Sequence, residues 1–321
     1  MAGLKGVVGV DGREIQISRH EKILFPEDGI TKGELIEYYA RIAPWMLPHL
    51  RDRPLTLERY PNGITTKRFF QKEVSSYFPD WIQRVTVEKV GGKVTHVVCN
   101  DTATLVYLAN QACVTPHIFL SRLDKVHHPD QLVFDLDPQG ENFEVVRSTA
   151  RAFKELLDEL GLPAFLKTTG SRGLHVVVPL QRREEYEPVR NFARELAAIV
   201  VSQAPKERTI EQLKVQRGDR VFIDTNRNGY AQLVAPAYAV RARKGAPVSV
   251  PLDWSELKKK NLKSNSYTIR TVFERIENAP DPWSEFWDSA VSLTKARRAL
   301  QTSATGAAYR AESATGRSAK S

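Results

Sequence analysis

The first 115 residues alternate apolar and polar positions in a pattern that predicts helices, a strand and a hairpin. The motif Thr31-Lys-Gly-Glu34 is a capping box that opens a helix. Apolar residues follow it at helical spacing: Leu35, Ile36, Tyr39 and Ile42. Residues 55–60 predict a strand, and residues 84–90 and 93–99 predict a hairpin closed by Gly91-Gly92. Residues 103–113 predict a buried helix.

After residue 130 the pattern alternates short apolar strands with longer amphipathic stretches. The predicted strands cover residues 132–136, 164–167, 174–178, 221–224 and 232–235. The predicted helices cover residues 142–160, 186–202 and most of 254–293. This alternation predicts a mixed α+β fold in which a central β-sheet is flanked by helices.

Composition and charge narrow the class of protein. Of the 321 residues, 41% are hydrophobic and 26% are charged, which is typical of a globular protein. We find no run of 18 apolar residues and no apolar signal core, so we expect no membrane partner and a cytoplasmic location. Cys99 and Cys113 have no metal-ligand spacing, so we expect buried free thiols.

The net charge of +9 permits a nucleic-acid partner but does not establish one. Residues 295–321 hold six Lys or Arg and one acid, so more than half of the excess lies there. We expect 295–321 to be a disordered basic tail and 1–294 to be the catalytic domain. Within the catalytic domain we expect an N-terminal part (1–115), a catalytic core (130–245) and a helical C-terminal part (254–294).

Two aspartates at the end of one predicted strand are the strongest sign of chemistry. In Val133-Phe-Asp135-Leu-Asp137-Pro138, the side chains of Asp135 and Asp137 point to the same face. Adjacent carboxylates repel one another unless a cation lies between them, and Mg²⁺ or Mn²⁺ prefers such oxygen ligands. Asp224 ends another predicted strand, so three carboxylates could hold two metal ions. The spacing alone also fits a polar turn.

A glycine turn followed by a histidine predicts phosphate binding. Residues 168–179 contain two glycines, Ser171, Arg172 and, on the next strand, His175. Such a turn can present backbone N–H groups to a phosphate, with Ser171 and Arg172 as further donors. The same residues also fit an ordinary turn with a core histidine. A hydrolase triad of Ser171, His175 and Asp224 is disfavoured because the G-x-S-x-G elbow is missing.

In this order the motifs resemble those of a known family. Asp135-x-Asp137, Ser171-x-Gly-x-His175 and the Asp224 strand resemble the three motifs of the archaeo-eukaryotic primase superfamily. The similarity is greatest to the polymerase domain of bacterial DNA ligase D and extends over about residues 17–275. It includes Lys22-Ile-Leu-Phe-Pro26, Thr31-Lys32, Arg53-Pro54, Arg59-Tyr-Pro-Asn-Gly63 and Phe69-Phe70-Gln-Lys72.

The resemblance implies a primase-like core and a role for each matching residue. The catalytic residues and ligands of two Mn²⁺ or Mg²⁺ ions would be Asp135, Asp137 and Asp224. The incoming nucleotide would contact Ser171, Arg172, His175, Arg241 and, near the sugar, His117. In the N-terminal part, DNA would contact Lys22 and Lys32 at a 5′-phosphate, and Arg59, Phe69 and Phe70 along the template.

Some matching positions allow a purely structural interpretation or depart from the family. Lys32, in the first turn of a helix, could simply be solvated. An extended Phe69-Phe70 points its rings to opposite faces, so we expect one ring in the core. Glu58 stands where a basic residue is common, and Arg227 where a smaller polar residue is expected. Lysine is also familiar at the position of Arg172.

The activity implied by the resemblance is template-dependent DNA/RNA polymerisation. A primer 3′-OH would attack the α-phosphate of an NTP, ribonucleotides being preferred, or of a dNTP. The substrates would be 5′-phosphorylated DNA ends or gaps in non-homologous end joining, at the bacterial nucleoid, with Ku and a DNA ligase as candidate partners. Two alternatives stay open: a stand-alone primase-polymerase for gap or excision repair or de novo priming, and a non-catalytic module that bridges DNA ends.

Overall fold

The computed structural model describes residues 5–140 and 142–302. The helices are Lys32–Leu50 (α1), Thr102–Asn110 (α2), Phe143–Glu159 (α3), Tyr186–Gln203 (α4), Val272–Asn278 (α5) and Leu293–Thr302 (α6). The strands of the first half are Val7–Val10 (β1), Arg13–Gln16 (β2), Ile23–Phe25 (β3), Ile30–Thr31 (β4), Leu55–Arg59 (β5), Phe69–Gln71 (β6), Arg84–Lys89 (β7), Gly92–Val97 (β8) and Cys113–Ile118 (β9). Those of the second half are Gln131–Pro138 (β10), Phe165–Thr168 (β11), Leu174–Pro179 (β12), Arg208–Thr209 (β13), Val221–Asp224 (β14) and Pro251–Leu252 (β15).

Two larger sheets organise the described chain. The six-stranded sheet has the order β13-β14-β10-β12-β11-β15 and is antiparallel except for the pair β13–β14. In the five-stranded sheet β5 is central, since it pairs with β6, β8 and β9, and β7 pairs with β8. The strand pairs β1–β2 and β3–β4 form two small separate sheets. The predicted mixture of helices and sheets is confirmed.

Alternation along β10 separates the core from the candidate site. Leu132, Phe134 and Leu136 are fully buried in a cluster shared with α3 and α4. The ring of Phe134 stacks on Phe153 of α3 with centroids 4.1 Å apart. Since successive side chains of a strand point to opposite faces, the intervening aspartates lie on the face away from these helices.

Helix starts follow the capping residues that the sequence offers. Thr31 and Glu34 form the predicted capping box of α1, each side chain bonding the other's backbone N–H. Asn142 caps α3, accepting a hydrogen bond from the Glu144 N–H. These local signals therefore fixed both helix starts correctly.

Several predicted elements are wrong in extent. The hairpin turn is Val90-Gly91, because Lys89 already pairs with Gly92. Helix α2 ends at Asn110, and Cys113 begins β9. Residues 232–235 form no strand; Val234 makes only an isolated bridge with Ile118. Residues 254–293 are mostly turns, with one five-residue 3-10 helix and α5.

The expected start of a disordered tail at residue 295 is too early. Helix α6 continues to Thr302, and Leu293, Ala296 and Leu300 are buried on one side of it. Three apolar residues at i, i+3 and i+7 form a helical stripe that docks on the core. Residues 303–321 lie outside the described chain.

The cysteines and the hydropathy of the helices bear on two further expectations. Both cysteines are buried and free, as predicted. None of the helices in the described ranges has the length and apolar character that crossing a membrane requires.

Candidate active site

Four ionisable side chains form a row across the six-stranded sheet. In the strand register Asp135 lies opposite Asp224 on one side and His175 on the other, and His175 lies opposite Lys167. The strand β10 therefore brings together carboxylates that are almost 90 residues apart in sequence. A cavity of about 380 Å³ opens over the row and is lined by Asp135, Asp137, Asp224 and His175.

Two arginines neutralise part of the charge of the three aspartates. Arg172 donates to both carboxylate oxygens of Asp137, at 3.0 and 2.8 Å. The Nε of Arg227 lies 3.4 Å from one oxygen of Asp135 and 3.4 Å from one oxygen of Asp224. In the described chain, no three His, Cys, Asp or Glu side chains converge closely enough, as they stand, to hold one ion.

The donor set nonetheless fits a divalent cation. Burial raises the pKa of Asp137, and the charge of Asp135 raises it further, although Arg172 opposes both. Burial also raises the pKa of Asp224, with Arg227 opposing and Asp135 adding to the shift. Carboxylates with raised pKa values lack sufficient positive charge nearby. Hard oxygen ligands in this state suit Mg²⁺ or Mn²⁺.

His175 faces Asp135 from the adjoining strand β12, and Lys167 lies one strand further on, opposite His175. The Nε2 of His175 lies 3.3 Å from the Asp135 carboxylate, and its Nδ1 is buried without a hydrogen-bond partner. Lys167 is buried and donates to the Ala235 carbonyl and the Ser249 hydroxyl, at 3.1 and 2.7 Å. Burial lowers the pKa of His175 to about 4, with Lys167 adding to the shift. A neutral His175 that faces Asp135 orients this carboxylate, and its phosphate contact stays a prediction.

The glycine turn is closed by its own threonine. Thr169 Oγ1 accepts hydrogen bonds from the backbone N–H groups of Ser171 and Gly173, at 3.2 and 3.1 Å. These two N–H groups therefore point into the turn, and phosphate binding by the rest of the turn stays a prediction. Gly170 has φ +63, and a Cβ there would come within 2.8 Å of Arg241. A glycine is thus required for Arg241 to pack on the turn, where it donates to the Thr169 carbonyl.

The predicted nucleotide contacts converge on the same cavity. Five of them line it with the aspartates: Ser171, Arg172, His175, Arg241 and His117. His117 lies on β9 of the other large sheet, and its Nε2 is 2.9 Å from the Glu58 carboxylate. The cavity is therefore lined by residues of both large sheets, and His117 is the contribution of β9.

The two phenylalanines lie beside this cavity on the exposed strand β6. Their exposed fractions are 42% for Phe69 and 44% for Phe70, so the expectation that one ring lies in the core is wrong. β6 is an edge strand that pairs only with β5 among the described strands, and neither of its faces is covered enough to bury a ring. The ring of Phe70 lies 5.7 Å from His117, whereas Phe69 faces Arg59.

Arg59 is held within the protein. Its guanidinium donates to the backbone carbonyl of Gln111 at 2.8 Å and to the side chains of Gln71 and Tyr77 at 2.6 and 2.9 Å. In this position it supports the strand that carries Phe69. A template contact by Arg59 stays a prediction.

Lys22 and Lys32 lie together, away from the cavity. Lys32 is buried, and its ammonium donates to the Ser18 hydroxyl and to the carbonyl and side chain of Asn110, at 3.0 to 3.1 Å. The view that Lys32 is simply solvated is wrong. Burial, with the charges of Arg19 and Lys22, lowers its pKa to about 8. Lys22 remains half-buried, with Nζ 3.1 Å from Asn62.

The sequence did not identify every residue of the site. Lys167 was assigned only to a strand, and Arg227 was noted without a role. Three further basic residues line the cavity: Lys214, Arg217 and Arg243. Strand register or the packing of a loop brings each of these residues to the cavity, and neither can be read from the local sequence.

Comparison with known proteins agrees with this geometry. A family model described as "LigD, primase-polymerase domain" matches residues 31–283. The bifunctional non-homologous end joining protein LigD of Bacillus subtilis is 30% identical over 276 residues, which is 85% of this chain and 44% of the relative. The multifunctional non-homologous end joining protein LigD of Mycolicibacterium smegmatis is 31% identical over 270 residues, 83% of this chain and 35% of the relative.

A solved structure matches the fold itself. It is described as the polymerase domain from Mycobacterium tuberculosis ligase D in complex with DNA. The TM-score is 0.81 at 30% identity, covering 86% of this chain and 99% of that one. The predicted primase-like fold is confirmed. This chain thus spans less than half of the full-length relatives and nearly all of the solved domain.

Proposed function

Because this chain belongs to the family of LigD primase-polymerase domains, we propose that it is a template-dependent polymerase that extends a primer 3′-OH with nucleoside triphosphates. The observation that carries the proposal is the pairing of Asp135 with Asp224 beside Asp137, within a cavity that Ser171, Arg172 and Arg241 also line. Such a site places carboxylates next to cationic phosphate donors, as nucleotidyl transfer requires.

The chain's own residues bind and orient the nucleotide in this proposal. Arg172 can bind phosphate oxygens with a forked pair of donors, and Arg241 adds a second guanidinium held against the glycine turn. Asp135, Asp137 and Asp224 would hold Mn²⁺ or Mg²⁺. Such an ion would supply Lewis-acid activation of the primer 3′-OH and neutralisation of charge on the phosphates. His175 faces Asp135 and orients its carboxylate, so positioning precedes the chemistry.

The biological substrate that we propose is a DNA end or gap with a 5′-phosphate. This proposal rests on the family and on a basic group formed by Arg19, Lys22 and Lys32. The three lie close together, since the charges of Arg19 and Lys22 lower the pKa of Lys32. End joining with Ku and a DNA ligase follows from the names of the full-length relatives and stays part of the proposal, as do the ribonucleotide preference and the location at the nucleoid.

We expect Lys22→Ala to remove most of the preference for a 5′-phosphorylated end over a 5′-hydroxyl end. A charged hydrogen bond to phosphate contributes roughly 1.5–3 kcal/mol, so the preference should fall by about tenfold or more. The measurement is the dissociation constant of a recessed duplex with each type of end. Lys154→Ala, on the outer side of α3, is the matched control. Equal weakening on both ends would show a general backbone contact instead.

Primer dependence tests the proposed activity against its nearest alternative. With a primed template we expect nucleotide addition, and with the same template lacking a primer we expect none. Products made from the unprimed template would favour a primase that starts chains de novo.

A further inference from the structure

We propose that Glu58 is a positioning residue of the nucleotide site: it fixes His117 as the tautomer protonated on Nε2, so that Nδ1 accepts a hydrogen bond from a ribose hydroxyl of the incoming nucleotide. The inference rests on the proposed function and deepens it, because it names the residue of this chain that orients His117, which the family resemblance already places near the sugar.

The Glu58–His117 pair links two adjoining cavities. Glu58 lies on β5 and His117 on the neighbouring strand β9, and the carboxylate is 2.9 Å from Nε2 of the imidazole. Both side chains are buried, with 5% and 10% exposed. His117 lines the cavity of the aspartates, whereas Glu58 lines a second cavity with Tyr60 and Arg68. Glu58 itself does not line the cavity of the aspartates, so it acts on the nucleotide through the side chain to which it is hydrogen-bonded, His117.

The carboxylate of Glu58 is ionised and can only accept hydrogen bonds. Its other oxygen accepts from the Tyr60 hydroxyl and from Arg68, both at 2.9 Å. Burial would raise the pKa of Glu58, but hydrogen bonds from His117 and Tyr60 and the charge of Arg241 lower it to about 2. An acceptor facing Nε2 requires that this nitrogen carry the proton.

The remaining nitrogen of His117 has no partner in the protein. Its Nδ1 is buried and makes no hydrogen bond to any described residue. Burial lowers the pKa of His117, and the charge of Arg241 lowers it further, so the ring is neutral. With Nε2 protonated, Nδ1 presents a lone pair and needs a donor.

A ribose hydroxyl is the donor that suits this position. Phosphates offer only acceptors, so they cannot supply the hydrogen that an accepting Nδ1 needs. Exocyclic amines occupy different places on different bases, so a template-directed site that takes all four bases cannot depend on one of them. The hydroxyls of the sugar are common to all ribonucleotides, which makes them the one constant donor.

The first test uses nucleotides that lack the donor but keep its size. Single-nucleotide addition is measured with ATP, 2′-deoxy-2′-fluoro-ATP and 3′-deoxy-3′-fluoro-ATP, since fluorine cannot donate a hydrogen bond. We expect kcat/KM to fall by about tenfold for one of the two analogues, the loss of roughly one hydrogen bond. Equal use of ATP and both analogues would overturn the proposal.

Glu58→Gln tests the role of the carboxylate. The amide oxygen will remain with the donors Tyr60 and Arg68, so the NH₂ group faces Nε2 and donates to it. Nε2 must then be the unprotonated nitrogen, and the ring carries its proton on Nδ1. We expect the penalty against the fluoro analogue to disappear. Glu256→Gln is the matched control, because Glu256 is a buried carboxylate paired with Arg275 elsewhere in the fold. A penalty that Glu58→Gln leaves unchanged would contradict the proposal.

Nitrogen-15 NMR of the His117 ring provides a readout that does not depend on activity. We expect the Nε2–H tautomer in the wild-type protein and the Nδ1–H tautomer in Glu58→Gln. A wild-type Nδ1–H tautomer would overturn the inference even in an active enzyme. An inactive enzyme with the Nε2–H tautomer would contradict the proposed function alone. If Glu58→Gln does not fold, the wild-type spectrum still tests the tautomer of His117, and the fluoro analogues still test its hydrogen bond to the sugar.

Discussion

Asp137→Asn is expected to abolish primer extension while binding of primed DNA survives. The substitution keeps the size of the side chain but removes the charge that now pairs with Arg172 at 2.8 Å. In the proposed site it also removes one metal ligand of three. Loss of a charge-stabilising group of this kind costs several kcal/mol in the transition state, so we expect a fall on the order of 10³-fold in kcat.

The measurement is single-turnover extension of a primed template, alongside the dissociation constant for the same DNA. Asp158→Asn is the control, because Asp158 is an aspartate on α3 that pairs only with Lys154 and lies away from the cavity. We expect it to extend at the wild-type rate. Extension by Asp137→Asn at that rate would remove Asp137 from the catalytic assignment.

Gly173→Ala is expected to disrupt both the fold and the site. A Cβ at this position would lie 1.8 Å from the carbonyl oxygen of Leu136, the residue between Asp135 and Asp137 on β10. The obstacle is backbone, so β10 and β12 would have to separate. Overpacking costs typically 1–3 kcal/mol, and a contact this short against backbone should reach about 3 kcal/mol or more.

We expect a lower melting temperature for Gly173→Ala and a loss of extension beyond what the melting explains, because Asp135 and Asp137 move with β10. Gly140→Ala is the control. Its Cβ would come no closer than 3.5 Å to Asp219, an ordinary contact. Wild-type stability and activity in Gly173→Ala would show that β10 tolerates displacement and would contradict the described register.

Local chemistry predicted those parts of the molecule that depend on neighbouring residues in the sequence. The capping box at Thr31 fixed the start of α1, and alternation along β10 correctly placed Asp135 and Asp137 on one face. The extent of the α6 helix was missed because basic and small residues after 295 suggested a tail. Docking of Leu300 against the core, a tertiary effect, decides that segment.

The site also depends on strand order, which the sequence does not contain. That Asp224 lies opposite Asp135 follows from the pairing of β10 with β14, and the role of Lys167 follows from that of β11 with β12. Likewise, Glu58 departs from a family pattern in the sequence, and only the pairing of β5 with β9 places its carboxylate next to His117. Without the register of the strands, the sequence does not show which of these charged side chains face one another.

The chain is proposed to add nucleotides under the direction of a template. The most direct test is single-nucleotide addition on a 5′-phosphorylated gapped duplex. Each of the four templating bases is tested with every ribo- and deoxynucleotide, in Mn²⁺ and in Mg²⁺. We predict addition of the complementary nucleotide, with ribonucleotides preferred, in at least one of the two metals. Tight binding of the gapped DNA without any addition in either metal would contradict the account and favour a module that only bridges DNA ends.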